Sequence, residues 1–212
     1  MSDLRQTISW LLLVMVAIVG GGAAVLGISQ APKNVPLQEA VDNTLAAPNY
    51  SQVVTESTAQ GKQTDYLVYQ APDRLGGYVQ SGNKRTYVYV IGTEEYQSLT
   101  VAANASTKHL TFYKQQSQGA AALDPAHNYL HYTTQAKHVT QSGNNYSFTL
   151  TQSGQTGTFT YTVSGQYVSE FTLRVKSASV HLVISQIGSS PPVALPAGAK
   201  VVGVPTSSSP AG

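Results

Sequence analysis

The chain has 212 residues, of which 10% are charged and 42% hydrophobic, against a usual charged share of about 25%. That length suits one domain with appendages, and the apolar content excludes a chain disordered throughout. Twelve basic and ten acidic residues leave a net charge of +2, and there is no cysteine, which excludes a nucleic-acid surface, a disulfide scaffold, a thiolate metal site and a lipid-modified N-terminal cysteine.

Positions 8–28 form an uncharged run of Leu, Val, Ile, Ala and Gly. As a helix rising about 1.5 Å per residue it spans the roughly 30 Å core of a bilayer. Arg5 before the run holds that end on the cytoplasmic side, and Trp10 suits the interface. The rival is a cleaved signal peptide, with Gly22-Ala23-Ala24 as the small-residue site. Apolar residues resume at Val25-Leu26-Gly27-Ile28, which favours a retained anchor over residues 1–30. Either way the rest of the chain is exported.

Pro32 and Pro36 mark a short linker. Leu37, Val41 and Leu45 then recur every four residues, which predicts a helix stopped by Pro48. Strands follow at 65–70, 84–91, 95–101 and 107–114, rich in Tyr, Val and Thr. Asp124-Pro125 reads as an N-cap and first helical position, predicting a second helix to about Tyr132.

Beyond it the alternation is cleaner. Tyr146, Phe148 and Leu150, then Phe159, Tyr161 and Val163, then Phe171, Leu173 and Val175 each alternate with polar residues, and Val180, Leu182 and Ile184 complete the set. A period of two with one apolar face means an antiparallel sheet wet on one side. Ser-Gly pairs at 81, 142, 153 and 164 supply hairpin turns. The fold class expected is α+β: a strongly curved antiparallel sheet, a half-open β-barrel, covered by short helices. The folded domain is placed at 35–204, with a disordered tail at 205–212.

The order of elements resembles the lipoprotein-carrier superfamily, which includes the LolA-like periplasmic carriers and the LprG/LppX-like lipoproteins of mycobacteria. The local matches are Tyr69-Gln70-Ala71-Pro72-Asp73-Arg74, Val90-Ile91-Gly92-Thr93-Glu94-Glu95-Tyr96 and Val163-Ser164-Gly165-Gln166-Tyr167-Val168, with a weaker one at Pro192-Val193 and Leu195-Pro196. The resemblance implies a half-barrel enclosing a cavity for acyl chains, in a bacterial envelope. It also implies a lipid or acylated protein as partner, with the N-terminal helix in the membrane. The missing lipobox cysteine departs from the LprG-like pattern, and a retained leader argues against free shuttling.

Residues expected to line such a cavity are Leu110, Phe112, Phe148, Leu150, Phe159, Tyr161, Phe171 and Leu173. Simple core packing competes with that role at each of them, because any half-buried sheet alternates in this way. His127 and His131 stand four apart on the second helix, but Asn128 follows His127 where a zinc-protease pattern needs Glu. They are taken as solvated histidines, and no metal or cofactor is expected. Pro72-Asp73 reads as a turn, and Glu94-Glu95 point to opposite faces of a strand, so they form no catalytic pair. No nucleophile elbow or phosphate loop is present, so the expectation is a binding protein and not an enzyme. The alternative function is an envelope sensor or protein-interaction module without a transport role.

Overall fold

The computed structural model describes residues 35–152 and 154–203. The expected anchor at 1–30 and tail at 205–212 lie outside them. Among the described residues no helix is long and apolar enough to cross a membrane.

Helix α1 (Val35–Leu45) forms where the four-residue spacing predicts it. Leu37, Ala40 and Val41 are buried, and Thr44 is bonded twice: its hydroxyl donates to the Ala40 carbonyl and accepts from the Val168 amide. That second bond ties the helix to the sheet.

The strands are β1 (Asn49–Thr58), β2 (Gly61–Gln70), β3 (Arg74–Ser81), β4 (Lys84–Ile91), β5 (Glu94–Ser98), β6 (Val101–Ala102) and β7 (Thr111–Gln116). Then come β8 (Thr140–Ser142), β9 (Asn145–Gln152), β10 (Gln155–Ser164), β11 (Tyr167–Val175), β12 (Ala178–Ser185) and β13 (Lys200–Gly203). Among the described residues they make one open, curved sheet in the order β13-β7-β5-β4-β3-β2-β1-β12-β11-β10-β9-β8, with β6 beside β4. Two antiparallel meanders therefore meet where β1 pairs β12, and among the described residues only β13 against β7 is parallel.

Between the meanders the chain crosses one face of the sheet as α2 (Ala120–Leu123), α3 (Pro125–Leu130) and a 3-10 turn (His131–Gln135). Asp124 caps α3 and Pro125 opens it, as the sequence predicts. The apolar core lies between these helices and the sheet. It holds Tyr50, Val54, Leu67, Tyr69, Leu75 and Val90 from one meander, and Tyr146, Phe148, Phe159, Tyr161, Phe171 and Leu182 from the other.

A second, smaller core lies on the opposite face. Tyr87, Leu110 and Phe112 are buried there under Leu195 and Ala199. The segment that carries those two residues is pinned where the Arg74 guanidinium donates to the Val193 carbonyl, 3.1 Å away.

Four strands were not anticipated: β1 and β3, and the short β8 and β13. The β3 strand contains Gly76-Gly77, which reads as a turn. The glycines are needed for close approach: a Cβ on Gly77, at φ +156°, would collide with the Tyr66 carbonyl oxygen of β2. Because the obstacle is backbone, no rotamer change relieves it. Gly77→Ala is expected to cost about 3 kcal/mol or more, read as a lowered denaturation midpoint. A variant as stable as the parent would refute this packing.

Candidate functional site

The candidate site is the helix-covered face. Pairing across the strands sets which side chains share it. Tyr50 is opposite Tyr69, Gln52 opposite Leu67 and Ile184, Val54 opposite Asp65 and Leu182, and Glu56 opposite Gln63 and Val180. On the other meander Phe171 is opposite Tyr161 and Leu182, and Phe159 opposite Leu173 and Phe148. Six of the eight expected lining residues thus meet on one face: Phe148, Phe159, Tyr161, Phe171 and Leu173 are buried, and Leu150 is half-buried beside them. Their rings form a connected group. Phe148 stacks on Phe159 at 5.1 Å, Tyr161 meets Phe171 edge-on at 5.0 Å, and Tyr129 of α3 stacks on Phe171 at 5.3 Å.

Leu110 and Phe112 are elsewhere. Phe112 is opposite Ser98, and Tyr96 is opposite Tyr89, which packs on Phe112 at 5.7 Å. This set belongs to the second core, across the sheet from the other six. Period-two alternation assigns residues to a face but does not say which face of a sheet they join.

The cover is bonded to the sheet by polar groups. Asp124 is fully buried and gathers donors from three directions. The Tyr50 hydroxyl donates to its Oδ2 at 2.5 Å, the Gln52 side-chain amide donates to Oδ1, and the His127 backbone N–H donates to Oδ2 at 3.0 Å. His127 Nδ1 also lies 2.5 Å from Asp124 Oδ2 and 3.1 Å from the Tyr50 hydroxyl. Burial, then the Asp124 charge, pushes the Tyr50 hydroxyl far above its ordinary pKa, so it acts as a fixed donor. His127 is therefore not the solvated histidine expected; of the two, His131 is the exposed one. Of the hydrogen-bond partners of His127, Asp124 is local, but Tyr50 comes from β1, which nothing local in the sequence announces. Among the described residues no group of three metal-ligating side chains occurs.

A second polar contact lies at the far end of α3. The Tyr129 hydroxyl donates to Glu56 Oε1 at 3.1 Å, while Glu56 Oε2 is buried without a partner. Burial, and then the Asp65 charge, pushes the Glu56 carboxyl up to about 7. Burial pushes Asp65 up to about 6, against the lowering effect of its bond from Gln63. Both acids escaped the sequence reading because each stands among other polar residues of its strand, where an inward-facing acid carries no local mark.

A cleft of about 300 Å³ opens beside α1, and Glu39, Asn43, Tyr146 and Val163 are among the residues that line it. Those last two belong to the main core or pack against it, so the cleft meets the apolar face at its edge.

No family model matches this sequence, and no curated protein matches it. Among solved structures the fold is similar to that of LprF from Mycobacterium bovis, with 14% identity, a TM-score of 0.49, and coverage of 77% of this chain and 95% of that one. It is also similar to the Mycobacterium tuberculosis lipoprotein LppX, with 12% identity, a TM-score of 0.47, and coverage of 79% and 100%. Both are of the LprG/LppX group that the turn motifs resemble. The likeness is one of sheet architecture.

Proposed function

We propose that residues 35–204 form an exported, membrane-anchored domain that binds a lipid or lipoprotein acyl chain between the sheet and its helical cover, as a carrier or chaperone. The observation that carries this reading is the cover itself. A broad apolar face is closed by one helix of 11 residues, two of 4 and 6, and a single 3-10 turn. These are short pieces, and polar bonds from β1 hold α3 and the residue that caps it.

Burying an acyl chain gains about 0.8 kcal/mol per CH₂, so a long chain gains on the order of 10 kcal/mol before ordering costs. The 300 Å³ cleft is at the lower end of ligand-pocket volumes, roughly 300–1,000 Å³. A whole chain therefore enters only as the cover shifts away from the aromatic face. Phe148, Leu150, Phe159, Tyr161, Phe171 and Leu173 are the residues it would touch. In this reading Leu110 and Phe112 are structural, and the anchor at 1–30 keeps the domain at a bacterial cell membrane.

Native mass spectrometry of the full chain, purified from bacterial membranes, tests the reading. An adduct of lipid mass that is lost on organic extraction is expected. A bare mass, unchanged after incubation with mixed lipids, would overturn lipid binding and leave the envelope-sensor alternative.

A further inference from the structure

The covered face is not apolar throughout, and its polar end is unusual. Glu56 is 7% exposed, and its Oε2 meets no donor. Asp65 projects from the same face one strand away, diagonal to Glu56 in the pairing of β1 with β2. Such diagonal neighbours lie roughly 7–8 Å apart. Among the described residues neither acid enters an ion pair. The groups facing them are Gln63, which donates to Asp65, and Tyr129, which donates to Glu56. Two carboxyls, one with a buried orphan oxygen, thus share this end of the face without an ion-pair partner among the described residues.

From Glu56 an unbroken row runs across the sheet. Glu56 pairs with Val180, Val180 with Leu173, Leu173 with Phe159 and Phe159 with Phe148. Four strand spacings of about 4.8 Å make this row roughly 19 Å long. One leaflet of a bilayer core, about 15 Å, is the length of one acyl chain. The row is acidic at one end and apolar for about one chain length.

Resting on the proposed binding of an alkyl chain, we propose that Glu56 and Asp65 bind the head of the ligand, and that this head is a primary ammonium on a long hydrocarbon chain lying along Val180, Leu173, Phe159 and Phe148. A primary ammonium brings three N–H donors and one positive charge. It supplies the donor that Glu56 Oε2 lacks and relieves the mutual repulsion of the two acids. Burial raises the pKa of both acids, and the Asp65 charge adds to the rise at Glu56. A divalent metal fits less well: Ca²⁺ takes about 6–8 oxygen ligands, and two carboxyls stand here.

Photocrosslinking tests the assignment. The full chain is placed in phosphatidylcholine nanodiscs at pH 8 with diazirine-bearing hexadecylamine, hexadecanol or hexadecanoic acid, and labelled peptides are mapped by mass. The amine probe is expected to label β10 and β11 about tenfold more than the acid, a difference of about 1.4 kcal/mol. In the Glu56→Gln/Asp65→Asn double variant the amine falls to the level of the alcohol, whose own labelling is unchanged. Lowering the pH to 4 in the parent removes the preference in the same way, without any change of sequence. Equal labelling by all three probes, or an amine preference that survives in the variant, overturns the head-group assignment and spares chain binding. Labelling by none of them overturns both.

Discussion

Raising the pH from 4 to 8 is expected to lower the melting temperature of this chain, and Glu56→Gln to abolish about half of the loss. In the folded chain the Glu56 carboxyl titrates at about 7, against 4.5 for an unperturbed glutamate. A carboxyl whose folded value is raised keeps its proton in the native state after the unfolded chain has released it, so stability falls as pH rises through this window. The window runs from about 4.5 to 7. At about 1.4 kcal/mol per pH unit, the loss from Glu56 is about 3 kcal/mol. Asp65, raised to about 6 from 3.8, adds in the same direction at lower pH. Each acid acts on the other, so the two losses do not simply sum.

For a chain of this size, 3 kcal/mol corresponds to roughly 6–12 °C. Glutamine keeps an acceptor for the Tyr129 hydroxyl and cannot ionise, so Glu56→Gln is expected to melt higher than the parent at pH 8 and close to it at pH 4. Glu94 has the opposite sign, lowered chiefly by its bond from Lys114 and then by that from Tyr96, but it is a surface group. Calorimetric scans of parent and variant across this pH range are the check. A parent profile that is flat, or that rises with pH, would remove Glu56 and Asp65 as strained acids.

The sequence shows the C-terminal meander well because β9–β12 carry apolar alternation, with Arg174 exposed on the wet side. It shows the second helix because Asp124 and Pro125 are local signals. It hides β1, although that strand organises the site. The inward positions of β1 are Tyr50, Gln52, Val54 and Glu56, all buried. Half of them are polar, so the apolar alternation that marks a strand is broken at the places where β1 bonds the cover. The shift of Leu110 and Phe112 to the other face has a related cause. Near β7 the segment that carries Leu195 and Ala199 covers the face on which Phe112 lies, and that cover is distant in the sequence. In each case the missing information is a contact between distant parts of the chain: Gln52 with Asp124, Glu56 with Tyr129, Arg74 with Val193.

The second large effect is expected at Asp124. Asp124→Ala removes the N-cap of α3, worth about 1 kcal/mol, and leaves the Tyr50 hydroxyl and the Gln52 amide without their common acceptor in a buried place. Each orphaned donor costs about 1–3 kcal/mol, so the total is about 3–7 kcal/mol. Tyr50→Phe separates the two contributions. It deletes one donor and keeps the ring that stacks on Tyr69 at 5.1 Å, while Asp124 retains Gln52 and the His127 N–H. Its cost is about 1–2 kcal/mol. Chemical denaturation gives both values, and equal costs for the two variants would mean that Asp124 is not the centre of the cluster. Amide hydrogen exchange then locates the effect. The bonds from Tyr50 and Gln52 run only between β1 and the Asp124 end of the cover, so protection is expected to fall first at 120–130 and last in β10 and β11. If the cover is the moving part that admits an alkyl chain, loosening it in Tyr50→Phe also speeds the exchange of bound probe, while the aromatic face that holds the chain is untouched.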